Sequence, residues 1–400
     1  MVVRVYLKQA WNLMKQNPLF STLYIVGTGI SIVMTMVIAI VYYVRLAPVY
    51  PETNRMRTLV VKSAKMTNDE STHSANISYA MLKDWFYSLE SAEVSTGVSG
   101  TSYARVTNDK EEIPTYARYT DENFFRVFPL VFLEGKPFTE ADRRSGIHNV
   151  VLTDSYAQQL FGTTKGVVGK NFLMDYTNVK VVGVVKSGSF LTPDSYAQVY
   201  LPYSCRDGYD DEGSHWALGG YRVYILMKES KSVTDVQDEV LELVRKFNVS
   251  DMGDGWKLDL VGQPELYWHS TFRLWSNVAV DWGRVIWMFV GIFMVLLFVP
   301  AFNLSGMISA RMERQLPDLG IRKAFGASRR RLLVQIIWEN LLLTGLGTLL
   351  GLVIAWIVLA LSGYEIFSLF EVFPKFPPKG VNLGMGIDMF FAPLIFVAAA

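Results

Sequence analysis

The chain has 400 residues, 50% of them hydrophobic and 19% charged, with a mean hydropathy of +0.22. That balance is too apolar for an ordinary soluble enzyme and too polar for a chain wholly embedded in lipid, so membrane segments and a polar domain are both expected. A formal net charge of +1 gives no overall field for nucleic acid, and the single cysteine, Cys205, excludes an internal disulfide framework and a cysteine-based zinc site.

In chain order, Val3, Tyr6, Leu7, Ala10, Leu13 and Met14 recur at helical spacing, with Arg4, Lys8 and Lys15 elsewhere. The pattern predicts an amphipathic helix over 1–18 on the cytoplasmic membrane surface, or a plain extension of the span that follows. Residues 19–47 form the first apolar run and are read as a retained anchor, because no small-x-small exit follows it. Residues 48–283 are polar. Apolar runs return at 284–310 and 332–361, and a fourth begins at 387 and is still apolar at 400. Fourteen residues are too few for a helical crossing, so the natural protein is expected to run further. Lys and Arg crowd the segment before the first run and the 311–331 connection, while Glu365 and Glu371 balance Lys375 and Lys379 in the 362–386 loop. The positive-inside rule then predicts a cytoplasmic N-terminus with 48–283 on the outer side.

Within 48–283, the β-branched runs 149–152 and 179–185 and the stretch 221–227 read as strands, and 155–161 and 233–247 as helices, which makes an α+β domain. His73, His148, His215 and His269 have no partner at metal-ligand spacing. Gly162 to Asn171 fails as a phosphate loop, since Thr164 and Asn171 stand where Gly and Ser or Thr are needed. A binding or force-transmitting domain is the better reading.

The cytoplasmic connection can be read as a short docking helix, or its cations as serving only to enforce the topology. Pro317 suits a first helical position, Asp318 the positive end of the dipole, Lys323 the negative end, Gly326 a left-handed stop, and Ser328 a cap on the third span. Leu319, Ile321 and Phe325 offer apolar contacts, while Arg311, Arg314 and Arg322 offer carboxylate-seeking forks. Pro300 should kink the second span, with Asn303 and Ser305 to satisfy freed backbone groups. Glu339, about two turns into the third span, is a functional candidate or a structural hydrogen-bonding group. Gly347 and Gly351 stand at GxxxG spacing after Gly345 and favour close helix packing, with a homodimer contact as one use.

The segment from Asn303 to Leu343 closely resembles the MacB/FtsX-like ABC transporter permease family. It carries Arg311, Glu313 and Arg314, then Leu319-Gly320-Ile321-Arg322-Lys323-Ala324-Phe325-Gly326-Ala327-Ser328, then Glu339 in the next span. Asn123-Phe124-Phe125, Glu134-Gly135-Lys136-Pro137-Phe138, Val150-Val151-Leu152, Tyr156 to Gly162, Val167 to Lys170 and Val181 to Val185 follow in the family's order. Leu316-Pro317-Asp318 departs from the charged residue and Glu often found before the core, with Asp318 supplying a carboxylate.

The resemblance, closest in layout to MacB-type or lipoprotein-release permeases, implies an α-helical membrane protein with four transmembrane helices plus an α+β periplasmic domain of two lobes. One lobe would come from both ends of the segment, and the other, roughly 146–215, would be inserted between them. It implies ATPase coupling through residues 311–328 and no cofactor in this chain, ATP and Mg being bound by a partner cytoplasmic ABC ATPase. The chain would sit in the bacterial inner membrane as a homodimer or beside a related permease. A periplasmic adaptor would indicate export of a drug, peptide or lipoprotein. A bound wall hydrolase would indicate signalling, and a chain with no ATPase partner would be an anchored receptor.

Overall fold

The computed structural model describes residues 11, 15, 18–100, 102–108, 111–189, 191–206, 208–209, 217–250, 255–273, 275–325 and 328–368. Apart from Trp11, Lys15 and Pro18, the expected surface helix over 1–18 lies outside the described residues, as do the 362–386 loop beyond 368 and the fourth apolar run. The described chain divides into two compact units, a helical one from 18–43 and 282–368 and an α+β one from 44–281.

The described helices are α1 (Pro18–Leu46), α2 (Tyr79–Asp84), α3 (Phe124–Val127), α4 (Glu140–Ser145), α5 (Asp154–Phe161), α6 (Val233–Val249), α7 (Tyr267–Ser270), α8 (Trp282–Ala324) and α9 (Arg329–Ser368). In the α+β unit, one sheet holds β1 (Thr58–Val61), β2 (Ala64–Thr67), β3 (Thr72–Ile77) and β4 (Ala92–Ser99) from the start of the unit. Strands β5 (Ser102–Asn108), β6 (Glu111–Thr120), β7 (Phe132–Gly135), β8 (Asn149–Thr153), β9 (Asn171–Met174), β10 (Thr177–Val185) and β11 (Val199–Pro202) form the second sheet. The chain then returns to the first sheet with β12 (Leu218–Gly219), β13 (Tyr221–Met227), β14 (Lys257–Asp259) and β15 (Glu265–Leu266).

Strand β13 is central to the first sheet. It is antiparallel to β1 on one side and to β4 on the other. Ser232 and Asp235 form a reciprocal capping box that starts α6, whose Val236, Val240, Val244 and Phe247 are buried in one core with Leu59, Met81, Leu82 and Ile225. The second sheet runs β7-β10-β8-β11-β6-β5-β9, and β10 also pairs β9, so six of its strands close into a ring. Val106, Val150, Leu152, Val181, Val199 and Leu201 belong to the core of that lobe, together with Tyr156 and Leu160 of α5. The left-handed Gly162 (φ 70°) stops α5 where the sequence places the stop. A third core joins the lobes, with Phe124, Phe125 and Phe128 meeting Val60 and Tyr224 from one sheet and Val151, Val185 and Tyr200 from the other.

The inserted lobe therefore runs from about 102 to 202 rather than 146–215. The difference comes from β5 and β6, whose strands mix Ser, Thr, Arg, Glu and Tyr with few consecutive β-branched residues. Their ladder pairing, Ser102 with Ala117 through Asn108 with Glu111, supplies what local pattern does not.

In the helical unit, Ser21–Leu46 and Leu332–Ser362 are long and apolar enough to cross a membrane, and Trp282–Leu296 is a shorter apolar stretch opening α8. Gly347 and Gly351 of α9 pack against α1. A Cβ on Gly347 would lie 2.7 Å from Thr28 Cβ, and one on Gly351 would lie 2.7 Å from the Gly29 carbonyl oxygen. The Tyr24 hydroxyl and Thr344 Oγ1 are 3.0 Å apart on the same pair of helices. The GxxxG face is thus filled by close helix packing within the chain, and not by the homodimer contact offered as one use; small residues let the two backbones meet. Helix α9 departs from helical geometry at Ser362 (φ −121°), next to the expected end of the third span.

The docking helix is not a separate element. Helix α8 runs unbroken through Pro300 and Pro317 to Ala324, 43 residues in all. Extending a formed helix adds one hydrogen bond per residue, whereas a new start requires a costly nucleus, and good helix formers flank Pro317. At 1.5 Å per residue α8 is about 65 Å long, roughly twice a bilayer's hydrocarbon core.

Candidate functional site

Two sets of residues carry functional chemistry, one at the α8–α9 connection and one in the α+β unit. At the connection, the last turn of α8 is followed by Phe325, whose N–H donates to the Ile321 carbonyl at 3.1 Å. Ser328 precedes α9, and its carbonyl accepts from the Leu332 N–H at 3.2 Å, as an N-cap residue's does. Arg311, Glu313, Arg314, Asp318, Leu319, Gly320, Ile321, Arg322, Lys323 and Ala324 all lie on α8 with Asn303, and Glu339 lies on α9. Gly326 and Ala327 lie outside the described residues.

Phe325 is 89% exposed, Leu316 59% and Ile321 57%, and Glu313, Gly320, Lys323, Ala324, Ser328, Arg329 and Arg330 are exposed around them. Three large apolar side chains among cations on one helix end leave a desolvation gain of about 1.5–3 kcal/mol each for a partner that covers them. Lysine and arginine beside them favour an acidic rim on that partner.

The second set was not legible in the sequence. In the α+β unit the side chains of Arg55 and Glu52 are 2% and 0% exposed and meet at 2.6 Å. The Arg55 guanidinium also donates to the Val44 carbonyl at 2.5 Å and to the Ala47 carbonyl at 2.8 Å. Glu52 accepts from the Ser195 N–H at 3.1 Å, the Ser195 hydroxyl at 2.7 Å and the Tyr267 hydroxyl at 2.7 Å. Asp194 Oδ2 lies 2.9 Å from that same Tyr267 hydroxyl, and Arg222 donates to Asp194 at 3.1 Å. Burial alone would raise the Asp194 pKa, but Lys62, Arg222 and Arg118 hold it well below the usual carboxylate range. Asp121 behaves the other way. Burial pushes it up to about 6, although Thr96, Tyr87 and the Gly97 N–H all donate to it.

Burial pushes the Cys205 thiol up to about 12 and lowers the pKa of His269, which lies against Trp268. Among the described residues no group of three or more His, Cys, Asp or Glu is placed to hold a metal ion.

Two helices long and apolar enough to cross a bilayer, a third helix that ends in an exposed cationic tip, and an α+β unit of two sheets are the layout of a membrane protein with a large extramembrane domain. Residues 20–243, more than half the chain, match the MacB-like periplasmic core domain, and residues 277–400 match the FtsX-like permease C-terminal region. The chain belongs to this MacB/FtsX-like family of ABC transporter permeases. It is 22% identical over 268 residues to the "Macrolide export ATP-binding/permease protein MacB" of Escherichia coli O157:H7, and matches that of Shigella flexneri to the same extent. The match covers 66% of this chain and 39% of each relative, so the chain spans well under half their length. Among solved structures, the periplasmic region of MacB from Actinobacillus actinomycetemcomitans aligns with a TM-score of 0.35 and 16% identity, over 50% of this chain and 88% of that one. The extracellular domain of the transporter YknZ from Gram-positive bacteria aligns with a TM-score of 0.34 and 15% identity, over 49% and 99%.

Proposed function

We propose that this permease couples ATP binding and hydrolysis by a separate ABC ATPase to movement of its periplasmic unit, as part of an export or mechanotransmission complex in the bacterial inner membrane. The observation that carries the reading is the end of α8, where exposed Leu316, Ile321 and Phe325 stand among cations on a helix continuous with an apolar segment. A partner that grips this end moves a rigid rod, and helix α8 delivers the displacement along its length. ATP and Mg²⁺ belong to the partner. The permease pairs with a second copy or a related chain, with residues 48–283 on the periplasmic side.

Relatives named for macrolide export favour export over signalling, with drugs, peptides or lipoproteins as the cargo classes and a periplasmic adaptor as the further partner. The test is a detergent pull-down of the full-length protein with Gly320→Arg and Arg322→Glu variants, followed by mass spectrometry and an ATP hydrolysis assay. Gly320 is a suitable probe because it is exposed and a Cβ added there meets nothing within 4 Å beyond its own stretch of helix. The reading expects an ATPase retained by the native chain and lost by both variants. Recovery of a wall hydrolase in place of an adaptor would move the assignment to signalling, and absence of any ATPase would leave an anchored receptor.

A further inference from the structure

We propose that Glu52 and Arg55 form a transmission joint, in which one buried ion pair ties the outer end of α1, the segment leading to α8 and the inserted lobe together. The inference rests on the coupling reading above and names the part of the α+β unit that receives the motion.

Helix ends leave carbonyl oxygens without intrahelical partners. At the end of α1, the Arg55 guanidinium fills that role for the Val44 carbonyl and takes the following Ala47 carbonyl as well. A cation is also favoured at that negative end of the helix dipole. The same guanidinium lies over the Tyr267 ring, 5.2 Å from its centroid, and Tyr267 begins the last short helix before α8. Arg45 reinforces this side by donating to the Thr271 carbonyl at 3.2 Å.

The inserted lobe is held from the other face of the pair. Glu52 takes both the N–H and the hydroxyl of Ser195, and Arg118 of β6 fixes the same turn through the Pro193 and Tyr196 carbonyls. Two residues before Glu52, the Tyr50 hydroxyl donates to the Lys186 carbonyl and accepts from the Val131 N–H on that lobe.

Apolar residues of similar volume are often as stabilising as a buried ion pair, so stability alone is a weak reason for one at this junction. What an ion pair adds is direction, because each bond fixes a particular donor against a particular acceptor. With both side chains out of water, no solvent is present to relax a displaced partner. Motion of the α1 end is therefore carried to the 192–196 turn instead of being absorbed between them.

The experiment uses the full chain with its ATPase in lipid nanodiscs, on a Cys205→Ser background. Spin labels are placed through Tyr176→Cys on the inserted lobe and Val249→Cys on the other lobe, positions that are 82% and 84% exposed. Inter-label distances are measured without nucleotide and with ATP and vanadate. The native chain is expected to change distance on nucleotide. Ser195→Ala and Tyr267→Phe should each reduce that change and together reduce it at least twofold, the Ser195 N–H and Tyr50 bonds remaining, with ATP hydrolysis within twofold of native and the nucleotide-free distance unaltered. Ser195→Thr should restore it. A native-sized change in the double variant overturns the joint and leaves the coupling reading standing. A variant whose distance is already altered without nucleotide also overturns it, since the residues would then only set the resting structure. If the native chain binds no ATPase, or binds it and shows no change, the coupling reading and the joint fall together.

Discussion

In the α+β unit the buried side chains include Glu52, Arg55, Arg118, Asp121 and Asp194, whereas in the helical unit the exposed ones include Leu19, Leu23, Val26, Ile30 and Met34 of α1. Those five apolar residues recur every three or four positions and make one face of the helix, while Tyr24, Thr28, Met36 and Ile40 are buried. One unit encloses charged side chains within a largely apolar interior, and the other turns an apolar face outward while its buried face mixes polar and apolar groups. Water supplies the driving force in the first case. In lipid the tails are as apolar as leucine, so helices associate through close contact and a few hydrogen bonds instead. The two units should therefore fail in different ways when their interiors are altered.

The largest effect is expected where charge is buried. Arg55→Ala leaves the Glu52 carboxylate with its remaining donors but no counter-charge at 2.6 Å, and frees the Val44 and Ala47 carbonyls. Breaking a buried pair in this way costs about 3–5 kcal/mol. Thermal unfolding of the full-length protein followed by tryptophan fluorescence should show an early transition of the α+β unit. Exchanging both partners for apolar residues, Glu52→Leu with Arg55→Met, should recover much of that loss. A single variant as stable as the native chain would break the contrast between the units.

The two buried aspartates sharpen the contrast within the α+β unit. Asp121 is held above its ordinary value of 3.8, at about 6, so its contribution to stability is full below pH 4 and is lost as pH rises through about 6. The shift corresponds to roughly 3 kcal/mol at most. Asp194 has the opposite sign, its contribution being present above the ordinary carboxylate range and lost as pH falls below it. Melting profiles of native protein and Asp121→Asn should converge near pH 4 and separate toward pH 7, with the variant gaining. Parallel profiles would remove Asp121 as the titrating group.

Much of this organisation was readable from local pattern. The strand expected at 179–185 is β10, that at 221–227 is β13, and the helix expected over 233–247 is α6, because β-branched runs and capping residues act over a few positions. The bounds of the inserted lobe were not readable, since β5 and β6 depend on pairing with each other and with β9 and β11. The Glu52 site was invisible for a related reason: Ser195 and Tyr267 lie 143 and 215 positions away in sequence. Only the Glu52–Arg55 spacing of three, just beyond the first span, could have hinted at it. Residues 311–325 announced their chemistry through composition, but their continuity with α8 depended on propagation through Pro317, which local rules score as a start.

Smaller effects are expected in the helical unit. Gly347→Val and Gly351→Val would push Cβ atoms to 2.7 Å from Thr28 Cβ and from the Gly29 carbonyl oxygen, a clash with a side chain in one case and backbone in the other. Overpacking of this kind costs about 1–3 kcal/mol. With Cys205 replaced by serine, a Tyr24→Cys, Thr344→Cys pair should cross-link through a bifunctional thiol reagent in the native background and less efficiently in either valine variant. Gly345→Val, where a Cβ meets nothing within 4 Å, should cross-link normally. Equal cross-linking in all three would mean that α1 and α9 do not meet through these glycines.

The smallest effect on stability, and the most selective one on function, belongs to Phe325. At 89% exposure it contributes little to holding the chain together, so Phe325→Ser should shift stability by no more than about 0.5 kcal/mol. If the α8 end is the ATPase contact, the same variant should lower recovery of the ATPase at least tenfold, because a covered phenylalanine is worth about 1.5–3 kcal/mol to the complex. A quantitative pull-down beside a melting curve separates the two quantities. Unchanged recovery with unchanged melting would show that this aromatic faces solvent in the assembled complex, and would shift the contact to Leu316 and Ile321. A lowered melting point would show that Phe325 is already covered within the chain, contrary to its exposure.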